Sequence, residues 1–389
     1  MKFNWIVKLL TKIAWTKNNG DRIKEYINTK QINRSHNLDN IDKRQIRVCA
    51  VQQEIQLIKG YKQYVDRMYE FVDQGVKEGA QLIVFPEYNG ALILGMLPLI
   101  ETILKRITRQ DSKSTDKDKA TEKPDKDTSK GASGDTEIDT SENTAENTPE
   151  DTAVHTSIST GVDILEILST LTPFLLDIFK TTFSELALHF GIYIMSGSIM
   201  VADKVSVYNR AYLFGPDGKI VGKQDKLHPV MIEKYIGLSM GDDLTVLNTP
   251  IGKLAFPICM DATYFETFKI AKNKGAHIVM IPIANMEQYN KHFALRGIWP
   301  RVQESGVYGV KSALVGDLFG IKFTGKAGFF APLILTPKND GILEISQSYD
   351  RDEIVVCDLN LNLIETYYDP YFTDKNNEFF NKYYPEIYG

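Results

Sequence analysis

Two short apolar runs joined by a helix-period segment constrain this chain more than any other feature. IRVCAVQQ (46–53) and AQLIVFPE (80–87) read as buried strands, the second stopping at a proline and a glutamate. Between them Val65, Met68, Val72 and Val76 recur at helical spacing. Strand, helix and strand with short joints form a βαβ unit, which requires a sheet with parallel pairs and places the chain among α/β folds.

The pattern continues beyond residue 190. GIYIMSGSIM (191–200) reads as a strand, and NRAYLFGPDGKIVGKQDK (209–226) as a hairpin turning at Pro-Asp-Gly. DLTVLNTPIGKLAFPIC (243–259) reads as a second hairpin, turning near Pro250–Gly252. A helix is expected over 263–275, a buried strand over 276–285 and a helix over about 289–304. Strands at 307–316, 327–332 and 353–361 complete the set, and the aromatic end, 361–389, reads as an irregular tail. No repeat of fixed period is apparent.

Residues 111–157 break this order. They carry no aromatic side chain, and their only large aliphatics are Ile138 and Val154. Such a tract cannot bury enough surface to offset its ordering entropy and is expected to be disordered. Residues 111–130 hold six acids and six lysines, whereas 131–157 hold seven acids and no lysine or arginine. The rest of the chain is therefore near neutral. Two apolar stretches, 91–107 and 162–190, flank the tract and read as helices, the second kinked or broken at Pro173.

Composition excludes several functional classes. A net charge of −5 leaves no basic footprint for nucleic acid. Three cysteines, Cys49, Cys259 and Cys357, lie far apart without a CxxC pair, which argues against a disulfide framework and for a reducing, cytoplasmic compartment. The six histidines show no HxxxH or HExxH spacing, so no metal and no cofactor is expected. In the N-terminal extension, 1–45, Trp5, Leu9 and Ile13 recur at helical spacing beside Lys8 and Lys12. The ordinary reading is a helix packed on its own domain or on a partner. The other is peripheral membrane contact through residues 1–15. No run of 18 apolar residues marks a spanning helix.

Three chemically complementary residues close predicted strands: Glu87 ends LIVFPE, Lys226 ends the first hairpin and Cys259 ends the second. Sites in open α/β sheets gather beyond strand ends, where rigid elements hold side chains that still reach a cleft. A free thiol, with a pKa of about 8.5, needs activation near neutrality. A nearby carboxylate can take its proton, and a nearby ammonium can stabilise the thiolate. Taken singly, the cysteine reads as core, the glutamate as a solvated cap and the lysine as surface.

Taken together, these contexts resemble the nitrilase, or carbon–nitrogen hydrolase, superfamily. The resemblance rests on Phe85-Pro86-Glu87, Lys226-Leu227-His228, Cys259-Met260-Asp261 with Tyr264-Phe265-Glu266, and RVQESGVYGVKSALVG (301–316) through Arg301, Glu304 and Tyr308. It covers about 46–105 and 160–360, with all blocks in family order. It departs at Phe265, where proline is usual, and at Phe323-Thr324-Gly325-Lys326-Ala327, in place of F-x-G-x-S. Met260-Asp261 after the cysteine, instead of the Trp-Glu of true nitrilases, argues against a nitrile substrate.

The resemblance implies a four-layer αββα sandwich over 46–360, interrupted by the charged insertion, and a Glu87–Lys226–Cys259 triad. It further implies Glu233 as a second active-site glutamate orienting Lys226 or the substrate, and the Met260 backbone N–H as an oxyanion donor. The expected reaction cleaves a small-molecule amide or N-carbamoyl group through a cysteine thioester. Alternatives on the same fold are an N-acyltransferase, a nitrilase, or a non-catalytic binding or scaffold protein. Homo-oligomers pairing sandwich against sandwich are also implied, with the tail crossing to a neighbour. Asp261 is expected to cap the following helix and His228 to make a structural hydrogen bond. Because Glu87 ends at the cleft mouth, 91–107 and 162–190 are expected near the cleft entrance. Deleting 111–157 and joining its flanks with a short Gly/Ser linker should leave Tm and basal turnover nearly unchanged, since closure entropy grows slowly with loop length. A deletion protein that fails to fold in a thermal melt would overturn that reading.

Overall fold

A computed structural model describes residues 2–32, 34–35, 38–100, 164–318, 320–368 and 376–388. The charged tract 111–157 and the expected helix over 101–107 lie outside the described residues. The helices are α1 (Lys2–Lys17), α2 (Gly20–Asn28), α3 (Tyr61–Lys77), α4 (Ile164–Phe190), α5 (Met231–Tyr235), α6 (Phe265–Asn273), α7 (Lys291–Leu295), α8 (Ile298–Ser305), α9 (Leu361–Glu365) and α10 (Asn377–Tyr388). The strands are β1 (Ile46–Glu54), β2 (Leu82–Val84), β3 (Tyr193–Asp203), β4 (Ser206–Phe214), β5 (Ile220–Asp225), β6 (Val246–Thr249), β7 (Gly252–Ala255), β8 (Ile278–Ile283), β9 (Tyr308–Leu318), β10 (Ile321–Phe323), β11 (Gly328–Phe330), β12 (Ile342–Ile345) and β13 (Glu353–Leu359).

The strands pair as two sheets that touch along one seam. One runs β5-β4-β3-β2-β1-β13 and the other β6-β7-β8-β9-β11-β12, with β10 folded back on β9. The seam is the parallel pairing of Gln52, Gln53 and Glu54 on β1 with Ala313, Leu314 and Val315 on β9. The expected βαβ unit is present, with β1 and β2 parallel and joined through α3.

Side-chain alternation builds the core. Ile46, Val48 and Ala50 of β1 meet Ile278 and Met280 of β8 and Tyr308 and Val310 of β9 in one apolar cluster between the sheets. The outer faces are covered by helices. Phe179, Phe183 and Leu186 of α4 are buried on one side, and Phe268 of α6 with Ile298 and Val302 of α8 on the other. The result is the expected αββα sandwich.

Several local expectations need correction. The first apolar flank is a 3-10 stretch, Asn89–Met96, rather than a regular helix from 91, and Pro98 follows it closely. Helix α4 runs through Pro173 without a break and supplies an outer layer of the sandwich, so its apolar face is spent on the sheet. None of its residues lines the cavity that contains Cys259, but Leu165 and Leu168 at its start pack with Met200 and Ile236, which do. The helix expected over 289–304 is two helices. Pro300 cannot donate and disfavours a helical residue before it except near a helix start, so the chain restarts at Ile298 with the proline in its first turn. The tail is not wholly irregular: α10 stacks Phe380 on Tyr384 at 5.5 Å and Tyr384 against Tyr388 at 5.7 Å between centroids. Helix α1 does pack on the domain, but through Val7, Thr11 and Ala14, leaving Trp5, Leu9 and Ile13 outward. Among the described residues no helix is long and apolar enough to cross a membrane.

One glycine ties the fold to the site. Gly197 in β3 adopts φ +70°, and a Cβ there would lie 2.0 Å from the Pro86 carbonyl oxygen, one residue before Glu87. Gly197→Ala should therefore cost more than the roughly 1–2 kcal/mol of the left-handed backbone alone. Urea unfolding of the variant checks this, and an unchanged midpoint would contradict it.

Candidate active site

Each of the expected residues is held at the end of a rigid element. Glu87 lies three residues beyond β2. Phe85 N–H donates to the Met195 carbonyl at 2.9 Å, the Ser312 hydroxyl donates to the Phe85 carbonyl at 2.9 Å, and Tyr88 N–H donates to Ser198 Oγ at 3.0 Å. Strands of both sheets thus clamp the segment that aims Glu87. Lys226 follows β5 and prolongs its ladder, its N–H donating to the Asn209 carbonyl at 2.9 Å. Glu233 sits on α5 and accepts from Val230 N–H at 2.7 Å. Cys259 lies four residues past the paired end of β7 and takes a left-handed backbone, φ 49°. A non-glycine residue held there stores strain and turns the chain sharply, so the side chain leaves the strand direction.

The structure brings these groups into one cluster. Lys226 Nζ lies 2.8 Å from Glu87 Oε1 and 2.8 Å from Glu233 Oε2. All three side chains are buried. The Cys259 thiol donates to Asn285 Oδ1 at 3.9 Å, and the Glu87 carboxylate acts on it electrostatically. Cys259 and Met260 line a cavity of about 630 Å³ together with Glu87, Lys226 and Glu233.

Burial sets the protonation pattern. It raises the Glu87 carboxyl above its ordinary value, helped by the Glu233 charge and opposed by Lys226. Burial alone would lower the Lys226 ammonium, but Glu87, Cys259 and Glu233 outweigh it and raise it. The Cys259 thiol is pushed up by burial and then by the Glu87 charge, against the pull of Lys226. Cys259 therefore rests as a thiol beside the Lys226 ammonium. A thiolate forms only when a neighbouring base accepts the proton, and Glu87 is the charged group that acts on the thiol most strongly.

Two residues that sequence reasoning passed over complete the cluster. Asn209 Nδ2 donates to Glu87 Oε1 at 2.9 Å and to Glu233 Oε1 at 3.3 Å. Its signal was a polar residue among the buried positions Val207, Ala211 and Leu213 of β4. The Tyr88 hydroxyl donates to Glu233. Asp261 does not cap the following helix α6, which starts at Tyr264 without a side-chain cap; it lies inside a 3-10 turn, Cys259–Thr263. Its carboxylate accepts from Ile258 N–H at 2.8 Å, Leu227 N–H at 3.2 Å and His228 N–H at 2.7 Å. One buried side chain thereby ties the Cys259 segment to the Lys226 segment. His228 makes the expected structural contact, its Nδ1 lying 3.0 Å from Asp261 while its ring stacks on Tyr264.

Comparison with known proteins places this arrangement. A sequence model for carbon–nitrogen hydrolases matches residues 175–335. A probable hydrolase, YhcX, of Bacillus subtilis (strain 168) is 33% identical over 47% of this chain and 36% of its own length. The ω-amidase NIT2-B of Xenopus laevis is 34% identical over 29% of this chain and 44% of its own length. A nitrilase of Pyrococcus abyssi (strain GE5 / Orsay) is 30% identical over 50% of this chain and 66% of its own length. The chain thus spans less than two thirds of each of these relatives. An amidase of Nesterenkonia sp. superposes with a TM-score of 0.56 over 88% of this chain and 98% of its own, at 15% identity, which speaks to the fold. The chain belongs to the carbon–nitrogen hydrolase superfamily.

The superfamily match begins inside α4, so Glu87 lies outside it. In this carbon–nitrogen hydrolase chain, folding alone carries the glutamate from the first βαβ unit to within 2.8 Å of Lys226. The other two cysteines are placed differently. Burial raises all three thiols, Cys49 and Cys357 to about 12, so what sets Cys259 apart is its place at the cavity wall with Lys226. Neither Cys49 nor Cys357 lines the cavity. Iodoacetamide should therefore label Cys259 much faster than Cys49 or Cys357 in the folded protein. Peptide mapping with equal labelling of all three would refute the distinction.

Proposed function

We propose that the chain hydrolyses the carbon–nitrogen bond of a small-molecule amide through a thioester on Cys259. The observation that carries this reading is one buried carboxylate, Glu87, paired with the Lys226 ammonium at 2.8 Å on the wall of the cavity that Cys259 lines. The recurrence of ω-amidases among the relatives supports an amidase over a nitrilase or carbamoylase reading.

The proposed course uses each group once per half-reaction. Glu87 takes the thiol proton as sulfur attacks the amide carbon. The carbonyl oxygen becomes an oxyanion, stabilised by the Lys226 ammonium and the Met260 N–H. As the tetrahedral intermediate collapses, Glu87 returns the proton to the departing nitrogen and the amine or ammonia leaves. Glu87 then takes a proton from water, whose oxygen attacks the thioester. The carboxylic product departs, and the sulfur recovers its proton from Glu87. Glu233 acts as a positioning residue, holding Lys226 through its own 2.8 Å contact with Nζ.

Ammonia release from a panel of small amides tests the reading. Cys259→Ala should remove turnover, and wild-type turnover in that variant would falsify the covalent route. Glu87→Gln should lose about 10²–10⁴-fold, the usual extent of general-base assistance. Because the Glu87 pKa is raised by burial, protonation below that value removes the base. The acid limb of kcat/KM should therefore lie above the ordinary glutamate value of 4.5. That limb belongs to the coupled Glu87–Lys226–Glu233 cluster. A limb at or below the ordinary value would exclude Glu87 as the base.

A further inference from the structure

Helix α1 turns an apolar face away from the domain, and no element among the described residues covers it. Val7, Thr11 and Ala14 bury the opposite side of the helix. The Trp15 indole N–H donates to Asp177 Oδ2 of α4 at 2.9 Å, and its ring meets Phe174 edge-on at 6.2 Å between centroids. The same Asp177 oxygen accepts from Gly20 N–H at 3.0 Å, where α2 begins. These contacts fix the rotation of α1 about its own axis. Trp5, Leu9 and Ile13, one turn apart, therefore stand in line on the solvent side, with Ile6 beside them. Trp5 is 65% exposed, unusual for so large an apolar ring.

The charges of α1 are all of one sign. KFNWIVKLLTKIAWTK holds lysines at 2, 8, 12 and 17 and no acid. Lys8 and Lys12 are exposed one turn apart along the edge of the apolar line, where they border an open cleft shared with Thr170 of α4. Lys17 is exposed at the helix end. Among the described residues none of these three is in an ion pair. The whole chain carries a net charge of −5, so α1 concentrates positive charge against the general balance.

We propose that this face of α1 docks on an anionic phospholipid bilayer, with the helix lying flat in the headgroup layer. Three features select that occupant. Tryptophan settles at the level of the headgroups, and Trp5 is the outermost apolar side chain of the line. Lysines suit the edge of a lipid-facing helix, because their stems cover apolar surface while the ammonium groups reach phosphates. Protein interfaces, by contrast, are depleted in lysine, and a second copy of this face would bring no acid to these lysines. Packing on α4 also presents the face already folded, so no cost of helix formation opposes binding. This inference stands apart from the hydrolase reading, since no residue of α1 lines the Cys259 cavity.

Co-sedimentation of the full chain with lipid vesicles tests it. Partitioning to equimolar phosphatidylcholine and phosphatidylglycerol should exceed that to phosphatidylcholine alone by at least about tenfold, and should fall as salt screens the lysines. Lys8→Gln combined with Lys12→Gln should weaken binding to the anionic vesicles by about tenfold or more, and so should Trp5→Gln combined with Leu9→Gln. All four side chains are exposed, so the thermal melts of both variants should match the wild type. Wild-type protein that binds neither vesicle, or shows no preference for the anionic one, overturns the proposal whether or not the variants fold. So does binding that either folded variant leaves unchanged, which would move the contact to another face. Light scattering without lipid checks the rival occupant: an oligomer lost on Trp5→Gln with Leu9→Gln would make this face an interface between copies and overturn the membrane assignment.

Discussion

The buried contact of the Lys226 ammonium with two carboxylates is the interaction on which the rest of the site depends. Glu87 and Glu233 each stand 2.8 Å from Nζ. Taking three charges out of water is expensive, and the attraction between them offsets that cost only with good geometry and with the remaining lone pairs satisfied. The amide of Asn209, the hydroxyl of Tyr88 and the N–H of Val230 supply those hydrogen bonds. Removing one member would leave an uncompensated buried charge, so the cluster tolerates truncation poorly. Burial first, and the Glu87 charge second, keep the adjacent Cys259 thiol protonated at rest.

Such a cluster requires rigid support, and the two-sheet architecture provides it. The Glu87 segment is clamped by hydrogen bonds from β3 and β9, one strand from each sheet. Lys226 extends a hairpin ladder instead of starting a free loop. Cys259 and Tyr88 both adopt left-handed backbones, φ 49° and φ 57°. The surrounding structure imposes these conformations on residues that disfavour them. Asp261 then bonds the Cys259 and Lys226 segments directly, so their spacing does not depend on flexible side chains.

The cavity beside this cluster is uneven in charge. Glu87, Glu233 and Glu287 are all engaged by cations on its wall, whereas Lys311 meets a carbonyl and an aromatic face. That contrast is invisible in the sequence. In VYGVKSALVG, Lys311 reads as an interruption of an apolar strand, and nothing local distinguishes a lysine pointing to solvent from one pointing into a pocket.

What the sequence by itself determined was whatever depends on local pattern. Strands β1 and β2, helix α3 and both hairpins follow from apolar periodicity and turn chemistry, and Glu87, Lys226 and Cys259 were recognisable because the short motifs around them, taken together and in order, resemble those of a known family. Local pattern failed where a distant partner overrides it. Pro173 does not end α4, because burial of Phe179, Phe183 and Leu186 on the sheet holds that helix together. The outward face of α1 carries Trp5, Leu9 and Ile13, although their spacing reads as a core stripe, because Val7, Thr11 and Ala14 make the packing face. Tertiary structure alone decided that residues 87, 226, 233 and 259 meet, that Asn209 and Asp261 bind them together, and that Lys311 is left without a carboxylate. Ion pairing and desolvation depend on distance and burial, and a linear pattern specifies neither for residues separated by many strands.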